Sequence, residues 1–146
     1  MFFIVLQNAE HAVEDRAQFF KTVFLFWVLG AIDGHAKNFS ILLKAQGRFQ
    51  LTPIYDVMSA YPLADKRQLE WKKLKMAMAL KSSKNHFKWD TLQIRHWIIM
   101  AKQCYFPEQK MQEIITSAFE QMDKVIASVE LKLPDNFPAQ IRNRCK

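Results

Sequence analysis

The chain has 146 residues, half of them hydrophobic and 24% charged, a composition that excludes disorder and supports one core without leaving room for two ordinary domains. Its three glycines, Gly30, Gly34 and Gly47, are too few for a turn-rich β fold or for a Gly-rich phosphate loop of the G-x-G-x-x-G or Walker type. The formal charge of +7 is unevenly spread: residues 62–88 hold eight basic side chains (Lys66, Arg67, Lys72, Lys73, Lys75, Lys81, Lys84, Lys88) against Asp65 and Glu70.

The opening Met1-Phe2-Phe3-Ile4-Val5-Leu6 is apolar but lacks a basic flank and is too short for a secretory signal. Residues 15–29 are predicted as a helix, with Phe19, Phe20, Val23, Phe24, Trp27 and Val28 on a wide aromatic face that belongs deep in the core. Gly30 is its expected stop. The longest apolar stretch, 22–32, falls far below the roughly 18 residues of a membrane span. A polar stretch, Ala31-Ile32-Asp33-Gly34-His35-Ala36-Lys37-Asn38, leads into two β-like runs, 39–43 and 48–52. Gly47 between them is the one glycine available to reverse the chain, so a hairpin is expected there. Pro53, which has no N–H to give a ladder, ends it. Ile54-Tyr55-Asp56-Val57-Met58 then sets an acid among apolar neighbours.

Beyond the basic segment, 89–103 reads as a helix through Leu92, Ile94, Trp97, Ile98 and Ile99. Phe106-Pro107-Glu108 opens the longest helix, with a proline and an acid at its start. Met111, Ile114, Ile115, Ala118, Phe119, Met122, Val125, Ile126 and Val129 keep a 3.6-residue period along it, and Pro134 stops it. The expected fold is mainly α, within the α+β class: one helical bundle carrying one small β-hairpin.

Two acids flank that hairpin, with an asparagine between them. Asp33 and Asn38 bracket the loop that leaves a buried helix and enters the first strand, and Asp56 lies just past the second. A hairpin returns the chain to its origin, so Asp56 is expected beside Asn38. A carboxylate next to a carboxamide offers hard oxygens to Mg²⁺, which takes a few protein oxygens together with phosphate and water. Asp33 is left to accept a proton from a hydroxyl nucleophile. The order matches phosphoryl transfer in kinases: an Asp, four intervening residues, an Asn on metal, a short hairpin, and a second metal Asp. The competing reading makes Asp33 and Asn38 turn residues and Asp56 a helix cap, and residue physics leaves both open.

Other chemistries find less support. His11, His35, His86 and His96 have no i, i+4 pairing with acids or cysteines, against a zinc site, and no serine sits in a G-x-S-x-G turn. Cys104 and Cys145 lie forty-one residues apart, which argues against a disulfide framework and for a soluble protein of the reducing cytosol. Met76, Met78, Met100, Met111 and Met122 read as core filler. The basic segment is either a solvated lysine-rich loop or a surface for phosphates or acidic proteins.

Ala31-Ile32-Asp33-Gly34-His35-Ala36-Lys37-Asn38-Phe39-Ser40, followed by Leu51-Thr52-Pro53-Ile54-Tyr55-Asp56-Val57, resembles the C-terminal region of the HipA family. These are bacterial toxin serine/threonine protein kinases that pair with a DNA-binding HipB antitoxin. The agreement extends through Leu74-Lys75-Met76-Ala77-Met78 and Ala101-Lys102 to Phe106-Pro107-Glu108, so it covers most of the chain, and its D-G-H-x-K-N-F-S block is highly specific. The resemblance implies a helical kinase-like C-lobe in which Asp33 accepts the substrate proton. It further implies that His35, Ala36, Lys37, Asn38, Tyr55 and Asp56 meet ATP, with Asn38 and Asp56 on Mg²⁺. Asp56 takes the part of the usual D-F-G aspartate.

In the family an N-terminal region supplies the phosphate-covering loop, the ATP-pairing lysine and the adenine hinge, and none of these is found in residues 1–146. The chain is therefore expected to be a C-terminal lobe whose own hold on Mg-ATP is very weak, with an N-lobe supplied from elsewhere. Expected partners are a HipB-like antitoxin and a protein substrate, in the cytoplasm and away from membranes. The alternative is a non-catalytic module that binds the antitoxin or operator DNA, with the basic segment and Lys102 as its contacts.

Overall fold

The computed structural model describes residues 2–65 and 68–138, of residues 64 and 65 the backbone only. Lys66, Arg67 and Cys145 lie outside the described residues.

The helix expected over 15–29 is the axis of the fold. A short α1 (Phe2–Val5) and a 3₁₀ turn lead into α2 (Ala12–Val28), whose Phe19, Phe20, Val23, Phe24 and Phe26 are all buried. Its end is a Schellman motif: Ala31 N–H reaches the Phe26 carbonyl at 2.7 Å and Gly30 N–H the Trp27 carbonyl at 3.1 Å. Gly30 stands at φ +61, the left-handed conformation that this motif requires.

The expected hairpin forms from β1 (Ile41–Leu43) and β2 (Phe49–Leu51), antiparallel, with Ile41 opposite Leu51 and Leu43 opposite Phe49. Gln46 and Gly47 take φ of 62° and 73° at its reversal. Two polar anchors fix it to α2. Asp15, buried in the helix's first turn, accepts the Leu51 N–H at 2.8 Å. Glu10 pairs with Lys44 and Arg48 on either side of the turn; the Lys44 hydrogen bond, helped by Arg48, holds the Glu10 carboxyl below its usual range.

After β2 the chain passes through α3 (Tyr61–Asp65) into a second antiparallel hairpin, β3 (Lys75–Lys81) and β4 (Asn85–Lys88). The α+β class holds, but the single hairpin of the sequence reading becomes two. Lys75, Ala77 and Lys81 face outward while Met76 and Leu80 are buried, so the basic segment is in part a half-buried strand and not only a loop.

α4 (Ile94–Gln103) and α5 (Glu108–Glu130) close the core against α2. Trp97 is fully buried, edge-on to Phe24 at 5.2 Å and near Trp27 at 6.0 Å. Met76, Met100 and Met111 are buried fillers, as expected. The end-to-end apolar period of α5 meets the core only in its first half, through Met111 and Ile115; Val125 and Val129 are exposed because α2 and α4 do not extend beside them. Among the described residues no helix is long and apolar enough to cross a membrane.

Candidate functional site

The loop after α2 is held from several sides by its own backbone. Gly34 N–H bonds to the Ala31 carbonyl at 3.2 Å, Ala60 N–H to Gly30 at 2.9 Å, and Ala77 N–H of β3 to Ile32 at 2.8 Å. Gly34 lies flat on the Phe26 ring: a Cβ there would fall 2.2 Å from Phe26 Cδ2. On this pinned loop the Asp33 side chain is exposed and makes no hydrogen bond or ion pair with a described residue.

A single 3₁₀ turn, Ala36–Asn38, follows. Asn38 is 3% exposed, and its Oδ1 accepts the His35 N–H at 3.0 Å while Asn38 N–H donates to the His35 carbonyl at 3.0 Å. In this the turn-residue reading of Asn38 is correct. Its other half is not used locally: Nδ2 donates to Asp56, 3.1 Å from Oδ2 and 3.4 Å from the main-chain oxygen. The hairpin brings Asp56 there. Ser40 and Thr52 extend the ladder of β1 and β2, with Thr52 N–H on the Ser40 carbonyl at 2.9 Å. Pro53 then turns the chain back along the 3₁₀ turn. Asp56 caps no helix, since α3 begins at Tyr61, and it stands at φ +56 with its carboxylate on Asn38.

The remaining expected residues gather around the same turn. Tyr55 donates its hydroxyl hydrogen to the Lys37 carbonyl at 2.8 Å and lies 2.7 Å from Ser40 Oγ. Ala36 and Lys37 are exposed, and His35 Nδ1 is buried without a partner among the described residues. The structure thus joins His35, Lys37, Asn38, Tyr55 and Asp56 in one hydrogen-bonded cluster, with Asp33 at the start of its loop. Lys102 lies elsewhere, on the last turn of α4, with its ammonium 2.7 Å from Glu108. Sequence reasoning gave no role to Ser40 or to Gly34, although both stand inside the block that it singled out.

Amide and carboxylate oxygens are the hard donors taken by a cation that completes its shell with phosphate and water, and here Asn38 turns its Nδ2 to Asp56 and its Oδ1 to the His35 N–H. Among the described residues no group of three or more His, Cys, Asp or Glu gathers as a fuller protein cage would need.

The solved structure of HipA from Shewanella oneidensis MR-1, determined with HipB and operator DNA, is similar in fold, with a TM-score of 0.77 at 21% identity. The match covers 98% of this chain and 34% of that one, so this chain spans about a third of that HipA's length. The model of the HipA-like C-terminal domain matches residues 1–126. The chain belongs to that family of HipA-like C-terminal domains.

Proposed function

We propose that this domain is the catalytic lobe of a HipA-like serine/threonine protein kinase toxin of a type II toxin–antitoxin system, acting on a protein hydroxyl with Mg-ATP in the cytoplasm when a phosphate-covering lobe joins it. The observation that carries the reading is the contact of Asn38 with Asp56, 3.1 Å from amide nitrogen to carboxylate, beside a loop that presents Asp33 to solvent.

The donor set fits magnesium. Asn38 Oδ1 takes one backbone N–H and keeps a second lone pair, and one Asp56 carboxylate oxygen has no partner among the described residues. Asn38 and Asp56 would hold the magnesium, which would neutralise charge on the phosphate oxygens. His35, Ala36, Lys37 and Tyr55 are assigned to ATP by the resemblance of their block to the HipA family. Asp33 takes the proton: the substrate hydroxyl oxygen bonds to the γ-phosphorus, the bond to the bridging oxygen breaks, and the hydroxyl hydrogen passes to the Asp33 carboxylate. The pinned backbone on either side of Asp33 fixes where its side chain starts, and positioning accounts for much of phosphoryl-transfer catalysis.

The test is Asp33→Asn in a protein that joins this domain to its phosphate-covering lobe. Turnover is expected to fall by about a hundred- to ten-thousandfold. The unfolding midpoint stays unchanged, because Asp33 has no structural partner. Unaltered turnover contradicts the assignment.

A second reading, a non-catalytic module for a HipB-like antitoxin or operator DNA, is favoured by one observation. Lys72, Lys75, Lys81 and Lys84 make no ion pair with a described residue, and Lys75 lies directly opposite Lys88 across the second hairpin. An anionic partner would relieve that repulsion. Lys102, already paired with Glu108, adds less. A gel shift with operator DNA, with and without antitoxin and with a steep salt dependence, distinguishes this reading from catalysis.

A further inference from the structure

Residues 53–59 are all exposed and belong to no helix or strand, yet Asp56 among them takes one defined position. Its φ of +56 is the left-handed conformation, which is costly for a residue with a Cβ and persists only where the surroundings fix it. Among the described residues, two side chains between Thr52 and Ser59 hydrogen-bond to the rest of the structure. One is Asp56 itself, on Asn38. The other is Tyr55.

We propose that the Ser40 and Tyr55 hydroxyls form a latch that holds Asp56 against Asn38, which makes both of them positioning residues of the site. The direction of the bonds follows from the inventory of hydrogens. Lys37 offers a carbonyl, which only accepts, so Tyr55 spends its single hydroxyl hydrogen there at 2.8 Å. The Ser40 hydroxyl, 2.7 Å from the same oxygen, is then the donor to Tyr55. The chain Ser40 O–H to Tyr55 O–H to Lys37 C=O runs in one sense, so that each bond polarises the next. Its two ends are fixed independently: Ser40 sits in the ladder of the first hairpin through Thr52, and Lys37 lies within the 3₁₀ turn. Tyr55 is the residue next to Asp56, so seating its ring over the turn leaves Asp56 little choice of position. The latch joins the ends of one loop, and no hydrophobic contact of the core depends on it.

The importance of the latch for catalysis rests on the reading of Asn38 and Asp56 as metal ligands, but its existence does not, and the test keeps the two apart. The probes are the Asn38 side-chain amide resonances and the Asp56 backbone amide in the full chain, followed by NMR for hydrogen exchange, with Mn²⁺ added in a second arm. Tyr55→Phe is expected to speed exchange of the Asn38 side-chain amide about three- to tenfold, the span of one net hydrogen bond. Amides of α2 and α4 should be unaffected. Ser40→Ala gives a smaller increase and Ser40→Thr restores the wild-type rate, a rescue that general destabilisation would not show. Unchanged exchange at Asn38 in Tyr55→Phe, or an equal rise throughout the core, overturns the latch. If Tyr55→Phe speeds exchange while Mn²⁺ broadens neither Asn38 nor Asp56 in the wild type, the latch stands and the metal reading fails. If Mn²⁺ broadens both residues in the wild type while Tyr55→Phe leaves Asn38 exchange unchanged, the latch fails and the metal reading stands.

Discussion

Gly34 has no room for a methyl group. An added Cβ would meet the Phe26 ring at 2.2 Å, and that ring, on α2, is fully buried and packed against Phe39, so it cannot swing away. Gly34→Ala is therefore expected to cost about 1–3 kcal/mol, the usual range for overpacking, and to disturb Asp33 and His35 on either side. Urea denaturation reads the loss, and an unchanged midpoint contradicts it. At this scale the sequence was informative about type and silent about contact. The spacing of Asp33, Asn38 and Asp56 marked the site, and the hairpin between them predicted that Asn38 and Asp56 meet, as they do at 3.1 Å. The left-handed backbone of Asp56 and the Ser40–Tyr55 bond were not legible, because both depend on how Pro53 turns the chain back over a loop distant in sequence.

Helix α2 and the first hairpin declared themselves through aromatic periodicity and a single well-placed glycine. The second hairpin was harder to see. Lys75 to Lys81 carries its large apolar residues at every second position with lysine or alanine between, but these inward side chains are Met76, Met78 and Leu80, which are weak strand formers, and its turn, 82–84, has no glycine. Its lysines drew the reading toward charge. That hairpin meets α4 through two stacked imidazoles, His86 and His96, with ring centres 4.1 Å apart. His96 Nδ1 accepts the Gln93 N–H at 3.1 Å in the first turn of α4, and Ser82 Oγ lies 2.7 Å from His86 Nε2. Burial, with His86, Arg95 and Lys84 nearby, holds the pKa of His96 below its ordinary value of 6.5. The unfolded chain therefore binds the proton more readily, so this contribution to stability is complete above pH 6.5 and is lost as pH falls through the folded-state pKa. Unfolding midpoints measured down this range should fall faster for the wild type than for His96→Gln. Parallel curves, or an NMR titration of His96 at or above the ordinary value, contradict this.

The molecule as a whole sets an acid-bearing loop against a helical core, and its sequence holds only three glycines. The D-G-H-x-K-N-F-S block made the family legible from sequence, and the match over residues 1–126 bears that out. The chain spans 34% of the similar HipA. On the proposed reading it supplies only part of a phosphate clamp, and part of a clamp binds poorly. Calorimetry on this chain with Mg-ATP is therefore expected to show binding much weaker than micromolar, and micromolar or tighter affinity contradicts that division of labour. What no composition or periodicity could supply was whether Asn38 and Asp56 serve a shared cation or only each other. The most direct measurement is a Mn²⁺ titration of the ¹⁵N-labelled full chain. Broadening centred on residues 37–40 and 55–57, and abolished by Asp56→Ala, is the result predicted; resonances there that stay sharp, or broadening centred elsewhere, would contradict it.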